Sequence, residues 1–343
     1  MKEYIVYLFP HSSFEGNLTS STLFGALCWG IRLIYNESVL EGILKEFLDK
    51  KPMFLVSSLF PFRISDKLLY LPKPVYPPLT NEILESMSET ESDNLKKDKR
   101  PYHSEKFNLI SLIQKYKEFK KIEWISVSQF ESIAQSGIKG EEKLFSGYRN
   151  RHLKKLRWKE ESGVQKNSLD RLTYSTEGAG NTFYNQEKFF RKNETGLYFL
   201  LKTDKMDLLE PVLKFLEDSG LGTNKYTGKN HFKAEIKEKE ITLNTKGNSF
   251  VTLSKYVEKN KDNVDFSKSY YETDFMRFKI ESREEFSGEN IWKDIIPYIR
   301  EGSVITLKQE SEYPGEIFPI KHIQGKTIYQ YGFVYPYRGD FGK

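Results

Sequence analysis

The sequence has one cysteine in 343 residues, Cys28, and this excludes both an internal disulfide framework and a thiolate zinc site. Cys28 lies in the apolar run Leu23-Phe24-Gly25-Ala26-Leu27-Cys28-Trp29 and reads as a small buried hydrophobe in a reducing compartment. Histidine is also scarce. The five residues, at 11, 103, 152, 231 and 322, show no paired ligand spacing, so no metal site is expected. Long apolar runs are absent: residues 4 to 9 are too few for a signal-peptide core and are followed by Pro10, and no other run reaches membrane-spanning length. A cytoplasmic protein with no membrane partner is expected. Nor is either sign of charge in large excess, since a net charge of +5 permits a nucleic-acid partner without requiring one.

Aromatic residues are plentiful. The 25 Phe and 21 Tyr can fill sheet cores and also offer faces on which bases stack. The positive charge is local: residues 143–192 hold twelve Lys or Arg against five Asp or Glu, an excess of seven that surpasses the net charge of the chain. Arg149, Arg151, Lys154, Lys155 and Arg157 form its densest run, with no acid among them.

The length suits two modest domains. Tyr4–Phe9 predicts a strand, a helix opens near Thr19 or Ser20, and Leu40, Ile43, Leu44 and Phe47 continue a second amphipathic stretch. Residues 54–61 predict one strand leading into a Pro-rich segment that ends at Pro78, whose prolines argue against a central strand. Residues 80–105 carry acidic then basic groups with almost no aromatic or β-branched residues, and read as a mobile insertion. Strand-like runs at 164–174 and 183–190, joined by the Gly-rich stretch 175–182, predict a long hairpin. A strand at 196–203, a helix at 206–216 and a strand at 232–236 follow.

That order resembles a ferredoxin-like α+β unit with an elaborated hairpin. Beyond it come alternating runs at 249–257, 273–280, 302–307 and 326–334, with a helix predicted at 291–300. The expected division is a domain over 1–240, with the insertion at about 80–105 and a protruding thumb at about 143–192, and a second α+β domain over 241–343.

Between the helix and the strand lies Gly220-Leu221-Gly222-Thr223-Asn224-Lys225-Tyr226-Thr227-Gly228-Lys229-Asn230-His231-Phe232. Its glycines allow positive φ and close approach of backbone N–H groups to an anion, and Lys225 and Lys229 supply charge. A P-loop is excluded, because five residues rather than four separate Gly222 from Gly228 and Asn230 stands where the magnesium-binding hydroxyl belongs. A dinucleotide fingerprint fails as well, with Lys225 in place of the third glycine. No nucleotide cofactor is expected, which leaves either an anion site of another kind or a glycine helix stop with a solvated turn.

The ordered set of Ser20-Ser21-Thr22-Leu23-Phe24-Gly25-Ala26-Leu27-Cys28-Trp29, Ser57-Ser58-Leu59-Phe60-Pro61-Phe62, Leu71-Pro72-Lys73-Pro74, Lys166-Asn167-Ser168-Leu169-Asp170-Arg171-Leu172-Thr173, the glycine loop and residues 325–336 resembles the fourth subunit of type III-A (Csm) CRISPR effector complexes, in the RAMP superfamily. The resemblance covers nearly the full chain. It implies two ferredoxin-like (RRM-like) domains with a thumb hairpin, no catalysis by this subunit, and a cap on the 5′ handle of the crRNA. It also implies contacts with a large Cas-ten-type subunit and a backbone RAMP subunit. The loop departs from the family's frequent Gly-Lys-Gly ending, because Asn230 follows Lys229.

A single-stranded handle requires phosphate neutralisation, polar partners for splayed bases and faces for stacking. The residues expected to contact RNA are the basic run Arg149, Arg151, Lys154, Lys155 and Arg157, then Asn167, Arg171 and Thr176 on the thumb, and Gly222, Asn224, Lys225, Thr227, Gly228 and Lys229 in the loop. Ser20, Ser21 and Thr22, at a helix start, are an ordinary cap or a phosphate site on the same N–H groups. His11 is expected to contact RNA. It is also the one candidate general acid or base for a metal-independent endoribonuclease of the same superfamily, the alternative reading. A protein-only assembly adaptor with a structural glycine loop is the third.

Overall fold

The structure, a computed structural model, describes residues 1–16, 18–97, 105–134, 136–170, 172–176, 182–239, 247–258, 261–282, 285–339 and 341. The first part of the chain runs β1 (Lys2–Pro10), β2 (Phe14–Glu15), α1 (Ser20–Ile34), α2 (Glu37–Leu48), β3 (Phe54–Val56), β4 (Phe60–Arg63), β5 (Leu68–Pro72), α3 (Asn81–Lys97), α4 (Glu105–Lys120), β6 (Trp124–Ser126), α5 (Val127–Ile133) and α6 (Gly140–Arg149). It continues through β7 (Lys159–Lys166), β8 (Phe183–Phe190), β9 (Thr195–Thr203), α7 (Met206–Ser219) and β10 (Phe232–Glu238).

The main sheet is antiparallel in the order β10-β1-β9-β4-β5-β6, with β3 also paired to β9. Taking β1, α1, β4, β9, α7 and β10 in turn, the first strand stands between the third and fourth, which is the β-α-β-β-α-β arrangement of a ferredoxin-like unit. The sequence codes for this centre directly. Along β9, Gly196, Leu197, Tyr198, Phe199, Leu200 and Leu201 are all buried, as expected of a strand covered on both faces. Helix α7 buries Leu209, Val212, Leu213 and Leu216 at i, i+3 and i+4 spacing. Gly30 lets α1 approach it, since a Cβ there would fall 2.6 Å from Val212 Cγ1.

Beyond α7 the chain forms β11 (Ser249–Thr252), β12 (Thr273–Met276), β13 (Ile296–Ile299), β14 (Val304–Thr306), β15 (Ile317–Ile323), β16 (Lys326–Tyr331) and β17 (Pro336–Arg338). These make a three-stranded sheet β14-β11-β17 and two antiparallel ribbons, β12-β13 and β15-β16. The protein is therefore α+β, with antiparallel sheets throughout the described pairings. The expected boundary between residues 240 and 241 lies outside the described residues.

One hydrophobic core runs through both parts, with Val251, Leu253, Tyr331, Phe333 and Tyr335 clustered with the residues of the main sheet. Phe24 stacks on Tyr331 at 4.9 Å, and Phe130 meets Tyr337 edge-on at 4.7 Å. A polar seam accompanies them. Ser58 Oγ accepts from Ser20 N at 2.9 Å and donates to Glu301, Ser20 Oγ accepts from Lys255 N at 2.9 Å, and the buried Lys255 ammonium lies 2.9 Å from Glu301.

Several expectations give way here. The stretch read as a mobile insertion is helix α3 over 81–97; residues 98–104 lie outside the described residues. A tract of Glu, Leu, Met and Lys with few β-branched residues also has high helix propensity, and Leu84 is buried with Met87 packed against the same core. The single strand expected at 54–61 is two, interrupted by Ser57-Ser58-Leu59. Pro61 does lie in an interior strand, yet the β4–β5 ladder starts at Phe62, so Pro61 pairs on one flank only.

The helix expected at 291–300 is strand β13. Pro297 opposes a helix interior and the isoleucines around it favour the ladder with β12. The first hairpin strand is 159–166 rather than 164–174, and residues 143–149 belong to α6.

Candidate nucleic-acid interface

The glycine loop is a tightly built turn. Helix α7 stops at Gly220, whose φ is 76° and whose N–H donates to Leu216 O. A Cβ at Gly220 would lie 2.9 Å from Lys225 Cβ and 3.1 Å from Lys229 O, so only glycine fits. Asn224 and Gly228 are both left-handed and bracket a 3₁₀ turn at Lys225–Thr227.

Asn230 closes the loop from within. It is 1% exposed with φ 62°; its Oδ1 accepts from Glu15 N at 2.6 Å and its Nδ2 donates to Thr223 O at 2.7 Å and Glu15 O at 3.3 Å. Asn230 is thus the clamp between loop and β2.

The loop cations expected to face RNA are instead occupied by carboxylates. Lys225 is buried, with Nζ 3.3 Å from Glu281. Lys229 Nζ donates to Glu187 at 2.6 Å and to Ser13 Oγ at 3.0 Å. Lys166, from β7, lies 2.6 Å from Glu15, which also accepts from Asn185 at 3.0 Å and from Asn224.

This knot joins β2, the loop and both hairpin strands. Burial opposes ionisation of Glu187, but hydrogen bonds from Lys229 and Ser13 outweigh it and hold its carboxyl below the ordinary value. The hydrogen bond to Glu15 raises Lys166.

The helix start is likewise spent on structure. Ser20 and Ser21 are buried, and Ser21 Oγ donates to Tyr331 O at 3.3 Å, so these hydroxyls serve the seam between the two parts of the chain rather than an external phosphate. Thr22 is half-buried; its methyl would be 3.3 Å from a Cβ on Gly222, which sets the first turn of α1 directly against the loop. His11 is exposed at the end of β1, its N–H donating to His231 O at 2.9 Å.

The basic run does not ride on the hairpin arm. Arg149 ends α6, and Arg151, Lys154, Lys155 and Arg157 follow as exposed residues in the coil leading to β7. Buried Leu153 and Trp158 pin that coil down. Arg157 also lines a groove of about 240 Å³ with Arg63, Tyr70 and Asn193.

Asn167 and Thr176 are exposed past the end of β7, with Asn167 Oδ1 accepting from Thr182 Oγ1 at 3.1 Å. Arg171 lies outside the described residues. The tip also presents apolar groups that charge counting passed over: Leu172 is 92% exposed and Tyr174 86%. Sequence reading missed Glu15, Glu187 and Glu281, because each sits far along the chain from the lysine it binds.

Neither a protein-family model nor a curated protein matches the chain. Among solved structures it is similar to a chain of the Csm1-Csm4 cassette in complex with cA4, at TM-score 0.60 and 19% identity over 100% of both chains. A chain of the same cassette with pppApA gives TM-score 0.58 and 18% identity over 99% of both. A chain of the Csm3-Csm4 subcomplex of the type III-A CRISPR-Cas interference complex gives TM-score 0.53 and 19% identity, covering 96% of this chain and 99% of that one. The chain shares the α+β fold of these chains. Csm4 is the component these structures have in common, and the fold is Csm4-like.

Proposed function

We propose that the chain is a Csm4-type subunit of a type III-A CRISPR interference complex, acting in the cytoplasm in antiviral defence. In this reading it joins a large Csm1-type subunit to a Csm3-type backbone subunit and caps the 5′ handle of the crRNA without cleaving it. The observation that carries the proposal is the full-length fold match to chains from both a Csm1-Csm4 and a Csm3-Csm4 assembly. For RNA, the exposed cations Arg151, Lys154, Lys155 and Arg157 are the better phosphate contacts, because Lys225 and Lys229 already hold carboxylates.

Co-expression with Csm1-type and Csm3-type partners and a crRNA tests this directly. A complex containing all components is expected, with the handle protected from nuclease only when this chain is present. Assembly and protection that are unchanged in its absence would overturn the proposal. In binding assays, Lys155→Ala is expected to flatten the slope of log affinity against log salt by about 0.7, the single-strand value per phosphate contact. Incubation with repeat RNA, without metal, is expected to leave the RNA intact; cleavage abolished by His11→Ala would favour an endoribonuclease instead.

A further inference from the structure

The ribbon of β12 and β13, with the segment that leads into β13, carries the other large set of solvent-facing aromatic and apolar groups: Phe275 is 74% exposed, Ile295 63% and Trp292 46%. Exposed patches of this kind mark interaction surfaces. From Thr273 to Lys279 the exposed positions alternate as Thr273, Phe275, Arg277 and Lys279, with Tyr271 and Glu272 both exposed before them, so two cations follow the aromatic groups along one face.

No carboxylate shares that row. Glu272 and Asp274, on the intervening positions, are paired with Arg300 and Lys255, and Asp294 is an exposed acid beside the row together with Glu272. Arg277 lies over the Trp292 ring at 5.5 Å, while Lys279 bridges to Trp292 through the backbone.

The row leads straight to the glycine loop. Glu281, two residues past Lys279, binds Lys225 Nζ at 3.3 Å and accepts from Tyr226 OH at 2.9 Å, and Tyr226 is itself 67% exposed. We infer that this face is a base-stacking strip for single-stranded RNA, continuing past the loop, with Tyr226, Trp292 and Phe275 as stacking platforms and Arg277 and Lys279 as phosphate partners. Such a strip binds bases without choosing among them, because every base presents a π-face. The charge pattern favours RNA over an apolar protein surface, since Arg277 and Lys279 stand between Phe275 and Tyr226 while the acid on that path, Glu281, is held by Lys225. The inference rests on the RNA-binding reading above.

The test uses the full chain and a short oligouridylate. Binding is expected to quench tryptophan emission, and Trp292→Ala is expected to remove most of that quench. Trp292→Ala and Phe275→Ala are each expected to weaken binding on the order of tenfold with an unchanged salt slope, whereas Lys279→Ala lowers the slope by about 0.7. These side chains are exposed, so melting temperatures stay at the wild-type value.

If the wild type binds and Lys155→Ala lowers the slope while the ribbon variants bind and quench like wild type, the strip is wrong and the RNA reading stands. If those variants keep RNA affinity but lose co-expressed partner subunits, the face is a protein interface and the inference is overturned. A wild type that binds no oligonucleotide, alone or in the assembled complex, overturns both.

Discussion

The Lys229 ammonium lies 2.6 Å from a carboxylate oxygen of Glu187, whose side chain is 1% exposed. A cation that looks available in the sequence is the partner of a buried anion. Lys229→Ala leaves that anion without its closest counter-charge, and removing one member of a buried pair costs about 3 kcal/mol or more. Urea denaturation of Lys229→Ala and of the double variant Glu187→Gln/Lys229→Met is expected to show a large loss for the first and substantial recovery for the second. Equal losses would mean that the ion pair is not what the loop depends on.

Asn230 separates two contributions that usually change together. Asn230→Gly keeps the left-handed backbone, φ 62°, and removes the hydrogen bonds to Glu15 and Thr223, so a loss of about 1–3 kcal/mol is expected. Asn230→Ala removes the same bonds and adds about 1–2 kcal/mol for a Cβ in the left-handed region. Thermal melts that rank the two variants equally would show that backbone strain contributes nothing there.

Glu285 gives the fold an acid-sensitive tie. Hydrogen bonds from Arg32 at 2.6 Å and Lys326 at 2.8 Å lower its carboxyl from the ordinary 4.5 to about 2. The folded value lies below the unfolded one, so the stabilisation is complete above about 4.5 and is lost as the pH falls towards 2. Urea titrations of wild type and Glu285→Gln are expected to differ at pH 7 and to converge at acidic pH. A difference that stays constant across that window would remove Glu285 as the titrating group.

Much of the main sheet was legible because its signals are local. Strand β9 is a nearly unbroken apolar run, and α7, which packs against the sheet's β10, has helical spacing ended by Gly220, so each could be read within its own window. The candidate site was less legible because its decisive partners are remote. Glu187 reaches Lys229 across 42 residues and Glu15 reaches Lys166 across 151, and a charge count cannot show that an anion folds onto a cation. Helix α3 was missed for another reason: the same composition suits a solvated tract or an amphipathic helix, and only burial of Leu84 decides between them.

The seam at Ser58 has a consequence for biosynthesis. Its members, Ser20, Ser58, Lys255 and Glu301, enter the chain at widely spaced times as it leaves the ribosome. Until the last is made, the start of α1 and the break between β3 and β4 have only water for the bonds the finished molecule supplies. The N-terminal sheet can form early, but its ends close only after Glu301 has been made, which makes this a late-maturing part of the fold.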